Sequence, residues 1–349
     1  MEKLIIYNGV YMESVKNTDK NIHAVFEGGG VKGTGLVGAV QVTEDHGYIF
    51  DRVAGTSAGA IIAALIAAGY TASEMKEIMF ALDYRKFKDK GLGDSIPLVG
   101  PLASLLITKG IYEGDYFENW LRDLLLQKNI RTFKDLLIDE NIKDSTYRYK
   151  LQVIASDVSR GRLITLPHDV SEYGFVPNDF DVARAVRMSM SIPFFYKPVI
   201  MKNAKGDASF IVDGGILSNY PVGIFDPVGN TSPLWPTFGY KLVEPDEYKP
   251  HNINGPVSLL AALFSTMMEA HDARYIKDTN FQRTIPIETL GVQTTDFDTT
   301  IEKKQELYES GKKAAEEFFQ KWNFEEYNQK RGKGESRRQQ VWKSKEEAG

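Results

Sequence analysis

Residues 49–68 read Ile-Phe-Asp-Arg-Val-Ala-Gly-Thr-Ser-Ala-Gly-Ala-Ile-Ile-Ala-Ala-Leu-Ile-Ala-Ala. An apolar run (49–54) gives way, through Gly55-Thr56-Ser57-Ala58-Gly59, to a strongly helical one (60–68). This G-x-S-x-G pattern at a strand-to-helix junction puts a serine on a sharp turn, its hydroxyl beside the N-terminus of the following helix. The positive end of that helix favours negative charge developing nearby. Gly55 and Gly59 let the backbone turn tightly and let a substrate come close. Ser57 is therefore a candidate nucleophile. The plain alternative is a small-residue turn with no chemistry.

Outward from this turn the chain alternates strand and helix. Residues 22–26 form a short buried strand ending in Glu27-Gly28-Gly29-Gly30-Val31-Lys32-Gly33, and a helix with Leu36, Val37, Val40 and Val42 on its core face follows. After the helix at Ser57, Thr71 or Ser73 caps another through Met75, Ile78 and Met79. Strand, helix, strand, helix at this spacing predicts a parallel sheet with right-handed crossovers. Further along, 91–110 is a surface excursion and 116–126 an amphipathic helix. The strands at 150–155 and 162–166 form a hairpin through Ser159-Arg160-Gly161. A helix is expected at 181–190, strands at 194–201 and 209–212, and helices at 259–276 and 300–322. The expected organisation is a leader (1–21), one domain (22–328) with its motifs within 22–221 and a helical remainder, and a basic, disordered tail (329–349).

Composition narrows the chemistry. A net charge of −5 over 349 residues gives no reason to expect a nucleic-acid partner. The chain has no cysteine, so disulfides, thiolate metal sites and cysteine nucleophiles are excluded. Residues 1–10 lack the pattern of a secretory signal, and the uncharged stretches 95–108 and 256–268 are too short to span a bilayer. A cytoplasmic location is expected, with any membrane contact peripheral, at the inner face.

Gly28, Gly30 and Gly33 satisfy G-x-G-x-x-G between a strand and a helix. A dinucleotide site also needs an acidic residue where the second strand ends, but Asp51 stands at its beginning and Gly55-Thr56-Ser57 at its end. A phosphate-binding P-loop needs Lys-Ser or Lys-Thr after the last glycine, and neither is there. The other use of such a run is an oxyanion hole, in which fixed backbone N–H groups stabilise the charge of acyl transfer by roughly 3 kcal/mol per donor. In a parallel sheet this loop and the Ser57 turn leave adjacent strands at their C-terminal ends, where ligands bind. A tight turn built for packing is the structural alternative.

A serine needs a base. The five histidines, His23, His46, His168, His251 and His271, all have better structural or solvated readings, with His271 the least unsuited to a triad. Ser57 also follows too few strands for the nucleophile position of an α/β-hydrolase. Asp213, at the end of the buried run Phe210-Ile211-Val212 and before Gly214-Gly215, is the stronger candidate. Desolvation would raise its pKa from the free value of ~3.9 toward that of a useful base. Taken alone, Asp-Gly-Gly is a common turn.

Together these blocks resemble the patatin-like phospholipase family, over roughly residues 22–221. Gly28-Gly29-Gly30-Val31-Lys32-Gly33 is similar to its oxyanion motif, and Gly55-Thr56-Ser57-Ala58-Gly59 to its nucleophile motif. Residues 184–199 (R-A-V-R-M-S-M-S-I-P-F-F-Y-K-P-V) are similar to its helix-and-proline block, and Asp213-Gly214-Gly215 to its D-G-[GA] motif. The resemblance implies a three-layer α/β/α fold with a mainly parallel central sheet and Ser57 at the nucleophile elbow. It also implies a Ser57–Asp213 dyad and an oxyanion hole from backbone amides at Gly28, Gly29, Gly30 and Val31. Lys32, Gly33, Gly55, Gly59, Gly214 and Gly215 would support these motifs. The implied reaction is hydrolysis of lipid acyl esters, with no metal or other cofactor and with a lipid or membrane-surface ester as partner. An acyltransferase using the same dyad, and a non-catalytic module holding an anion or nucleotide in the glycine loop, remain as alternatives. The apolar stretch 95–111 reads either as a lid or lipid-dipping surface or as a cover for the core.

Overall fold

The computed structural model describes residues 5–7, 10–12, 20–87, 110–203, 205–227, 233–244, 253–255, 259, 262–267, 282–294, 296 and 298–330. Its first strands, β1 (Ile5–Tyr7) and β2 (Val10–Met12), pair only with each other. The central sheet begins at β3 (Asn21–Phe26), followed by α1 (Gly33–Asp45), β4 (Ile49–Thr56), α2 (Ala58–Ala67) and α3 (Ala72–Ala81). Every residue of α2 is buried, as its all-apolar, small-residue sequence requires. Thr71 caps α3 in a reciprocal box with Glu74.

After β5 (Gly110–Tyr112) and α4 (Asp115–Gln127) come β6 (Leu151–Asp157), β7 (Arg162–Leu166) and α5 (Val182–Ser189). Then follow β8 (Phe194–Tyr196), β9 (Val199–Lys202), β10 (Ala208–Asp213), β11 (Thr237–Val243) and β12 (Thr284–Glu288). The described chain closes with α6 (Ile301–Phe319) and α7 (Phe324–Lys330). The sheet runs β12-β11-β3-β4-β6-β10-β9, with β7 also paired to β6. Pairings from β12 through β6 are parallel, whereas β7, β10 and β9 join antiparallel. With its flanking helices this is the mixed, mostly parallel α/β/α architecture the motifs imply.

The register along β6 places the site. β7 pairs with the whole of 153–157, so it occupies one side of β6 throughout. On the other side β4 pairs with 151–154 and β10 with 155–157. Thr56 lies opposite Ile154 and Asp213 opposite the next residue, Ala155. The C-terminal ends of β4 and β10 therefore run head-on into each other along one edge of β6.

Two expectations need correction. Residues 194–201 are not one strand: β8 pairs with β5 outside the main sheet, and Lys197-Pro198 separates it from β9. A proline has no N–H to donate to a ladder, so the pairing lapses at Pro198. The strand carrying Asp213, for which the sequence set no direction, is antiparallel to both its neighbours. The chain after 229, expected to be mainly helical, supplies two further parallel strands, β11 and β12. Most of the stretch 95–111, much of the helix expected at 259–276 and the tail from 331 lie outside the described residues.

Candidate active site

β4 delivers Ser57 into a turn with φ 53° and ψ −127°, the left-handed region that a serine rarely adopts. The turn is held by close backbone packing. A Cβ at Gly59 would lie 2.3 Å from the Phe26 carbonyl oxygen at the end of β3, so only glycine fits there. Ser57 caps α2 and is 1% exposed. Its N–H donates to Ser189 Oγ (2.8 Å) and its hydroxyl to the Met190 sulfur (3.6 Å).

Asp213 is fully buried at the meeting end of β10. Its Oδ1 accepts the Gly215 N–H (2.8 Å), its own N–H donates to the Ser191 carbonyl (2.9 Å), and Oδ2 has no hydrogen-bond partner among the described residues. Burial pushes the carboxyl up to about 7, against the opposing pull of the adjacent Ser57 hydroxyl and the Gly215 N–H. Ser57 and Asp213 thus follow and close the two strands that meet on β6, with the hydroxyl proton directed at Met190. Gly214 fits into the same junction: a Cβ there would lie 2.4 Å from the Ile154 carbonyl and 2.9 Å from Thr56 Cγ2.

The glycine loop sits against both. A Cβ at Gly28 would lie 2.9 Å from Ser57 Cβ and 2.3 Å from Asn219 Oδ1. Asn219 clamps this residue, donating from Nδ2 to the Gly28 carbonyl (3.1 Å) and accepting the Gly28 N–H at its own carbonyl (3.3 Å). Val31 N–H donates to the Thr294 carbonyl (3.3 Å). Of the four loop amides expected to serve an oxyanion, those of Gly28 and Val31 are thus committed elsewhere. Gly29 and Gly30 have no acceptor for theirs among the described residues. Lys32 pairs with Glu244 (2.9 Å), which also accepts from Thr289 Oγ1 (2.6 Å), and Gly33 opens α1. Gly55 lies inside β4, and Gly215 follows Gly214 in the turn after β10.

No histidine contacts Ser57 among the described residues. His23 lies buried in β3 among Tyr147, Phe225 and Trp235, and burial, then the Arg52 charge, lowers its pKa to about 3. It is therefore neutral near pH 7, and its 3.7 Å approach to Asp51 is not an ion pair. His46 packs on Phe319, His168 lies in the turn after β7, and His251 and His271 fall outside the described residues.

The motifs brought Ser57, Asp213 and the glycine loop to notice but left Ser189, Met190 and Asn219 without a role. Ser189 and Met190 stand inside a quoted block with nothing local to mark them. Asn219, six residues after Asp213, would have been found by asking what fills the space beside a glycine that must remain a glycine.

A family model described as patatin-like phospholipase matches residues 24–226, which hold the glycine loop, Ser57, α5 and Asp213. The chain is 42% identical over 305 residues to the protein YqhO of Bacillus subtilis, covering 87% of this chain and 99% of that one. It is 26% identical over 206 residues to an NTE family protein of Mycobacterium bovis, covering 59% of this chain and 28% of that one. Among solved structures, VipD from Legionella pneumophila superposes with a TM-score of 0.52 at 20% identity, over 89% of this chain and 68% of that one, a likeness of fold. With a matching model over more than half its length and a relative of this identity, the chain belongs to the patatin-like phospholipase family.

Proposed function

We propose that this protein hydrolyses the carboxylic esters of lipids through a Ser57–Asp213 dyad. The observation that carries the reading is the head-on meeting of β4 and β10 on β6, which sets a strained serine hydroxyl beside a buried acid with one oxygen unpartnered. Asp213 Oδ2 takes the Ser57 proton as Oγ attacks the ester carbonyl. The resulting oxyanion is held by the Gly29 and Gly30 amides and the positive end of α2. Asp213 returns the proton to the departing alcohol, leaving an acyl-enzyme. Water then loses a proton to Asp213, attacks the acyl carbon and frees Ser57, which recovers that proton.

Ser57 and Asp213 are both buried, so an ester must displace what packs on the hydroxyl. The Met190 thioether, flexible and weakly bonded, is the group to move. The natural partner is a lipid assembly or membrane surface, met peripherally from the cytoplasm.

The test is labelling with a fluorophosphonate probe, followed by acyl release from a panel of phospholipids, lysophospholipids and neutral lipids. Wild type labels and releases fatty acid, while Ser57→Ala and Asp213→Asn do neither and still melt cooperatively. Labelling that survives Ser57→Ala refutes the dyad. Added alcohols that collect the acyl group in preference to water would make the protein a transferase.

A further inference from the structure

The three residues that close α5, Ser189-Met190-Ser191, contact both members of the dyad. Ser189 Oγ accepts the Ser57 N–H (2.8 Å), the Met190 sulfur accepts the Ser57 hydroxyl (3.6 Å), and the Ser191 carbonyl accepts the Asp213 N–H (2.9 Å). Ser189 also donates its own proton, to the Ile154 carbonyl (2.5 Å). That carbonyl belongs to the last β6 residue paired with β4, and the next residue already pairs with β10.

Where pairing on one edge switches from parallel to antiparallel, the hydrogen-bond ladder is interrupted and backbone groups lose their regular partners. Water cannot replace them here, because Ser57 and Ser189 are both buried. A single hydroxyl at 189 satisfies two such groups, one on the nucleophile and one on the strand that spaces the dyad. A left-handed φ at a serine persists only where its surroundings over-determine it. The segment that supplies this bond is itself anchored. Buried Arg187 donates to Ser191 Oγ (2.5 Å) and to the Lys197 carbonyl (3.0 Å), with its guanidinium 5.1 Å from the centre of the Tyr196 ring.

We propose that Ser189 is a positioning residue: it fastens the Ser57 turn to β6 and so fixes the nucleophile within reach of Asp213. The proposal rests on the hydrolase reading above. A merely structural hydroxyl would affect melting alone, whereas a positioning one affects turnover in protein that is fully folded.

The experiment measures fluorophosphonate labelling rate, kcat and KM on a soluble p-nitrophenyl ester, and thermal melting, for wild type, Ser189→Ala and Ser189→Cys. Cysteine keeps the size of serine but is a weak donor and acceptor. With assays run well below each melting point, both variants should lose about 10- to 100-fold in kcat and in labelling rate, with KM within about twofold, as a displaced reacting group implies. A folded variant that labels and turns over at the wild-type rate overturns the proposal. If Ser189→Ala fails to melt cooperatively, Ser189→Cys decides. Its folding is verified by shielding of the new thiol from a thiol reagent, since the chain has no other cysteine. Ser57→Ala runs alongside: labelling that persists there sinks the hydrolase reading itself, whatever Ser189 does.

Discussion

Asp213 carries the most consequential single environment in the molecule. In the proposed dyad its carboxyl, pushed up to about 7 by burial, has to be ionised to take a proton from Ser57. Ester hydrolysis should therefore rise with pH through about 7 and level off above it, which a profile of kcat/KM against pH would check. The same shift has a thermodynamic face. Between the ordinary value of 3.8 and about 7 the folded protein holds a proton that the unfolded chain has released. The stability linked to this group is thus fully present below 3.8 and is lost as pH rises through 7. Asp213→Asn removes that loss, so its melting temperature should exceed that of wild type at about pH 8, with the gain vanishing toward pH 4. Equal displacement of the two melting curves at both pH values would contradict the raised pKa. The direction of this shift was already legible: an acid closing the apolar run 210–212 has to be desolvated. The group that accepts the Ser57 hydroxyl's hydrogen bond in this structure, the Met190 thioether, was not, because a sulfur in that role leaves no pattern in sequence.

Elements reach one another through a few polar contacts between distant parts of the chain. Lys304 on α6 is buried, and its Nζ donates to the carbonyls of Met79 (3.0 Å), Phe80 (3.2 Å) and Leu82 (2.6 Å), closing the C-terminus of α3. Replacement by methionine would fill the space but strand these carbonyls, at a cost of about 3 kcal/mol. Urea denaturation of Lys304→Met should show that loss with an unchanged slope, and a loss below about 0.5 kcal/mol would show that the carbonyls find other partners. The capping box at Thr71, the helices around Ser57 and the hairpin of β6 and β7 could all be read from sequence, because each is specified by local spacing. β11 and β12 could not. Thr237–Val243 has a glycine at 239 where Tyr220 packs, and Thr284–Glu288 contains Pro286, which ordinarily argues against a strand. The proline is tolerated because β12 is the edge of the sheet. These two strands exist through long-range pairing, which local patterns do not encode.

At the scale of the whole molecule, the sheet does not end where the family resemblance ends. The matched residues stop at 226, yet β11 pairs with β3, β12 with β11, and α6 packs on α1 through contacts so close that a Cβ at Gly38 would lie 1.9 Å from the Tyr308 carbonyl. A fragment comprising residues 20–226 would leave β3 as a bare, apolar edge, a template for aggregation. It should sediment as inclusion bodies under conditions that keep residues 20–330 in the supernatant; a soluble, cooperatively melting fragment would show that the later strands are dispensable. The abutment of β4 and β10 has its own implication for how such chains diverge. The Ser57 hydroxyl and the Asp213 carboxyl are metered by β6, a strand that donates neither, much as two trains are held apart by the sleepers under the gap. A single residue inserted between Ile154 and Ala155 would therefore widen the interval by a full strand rise, roughly 3.3 Å, although it touched neither loop that leads into the site.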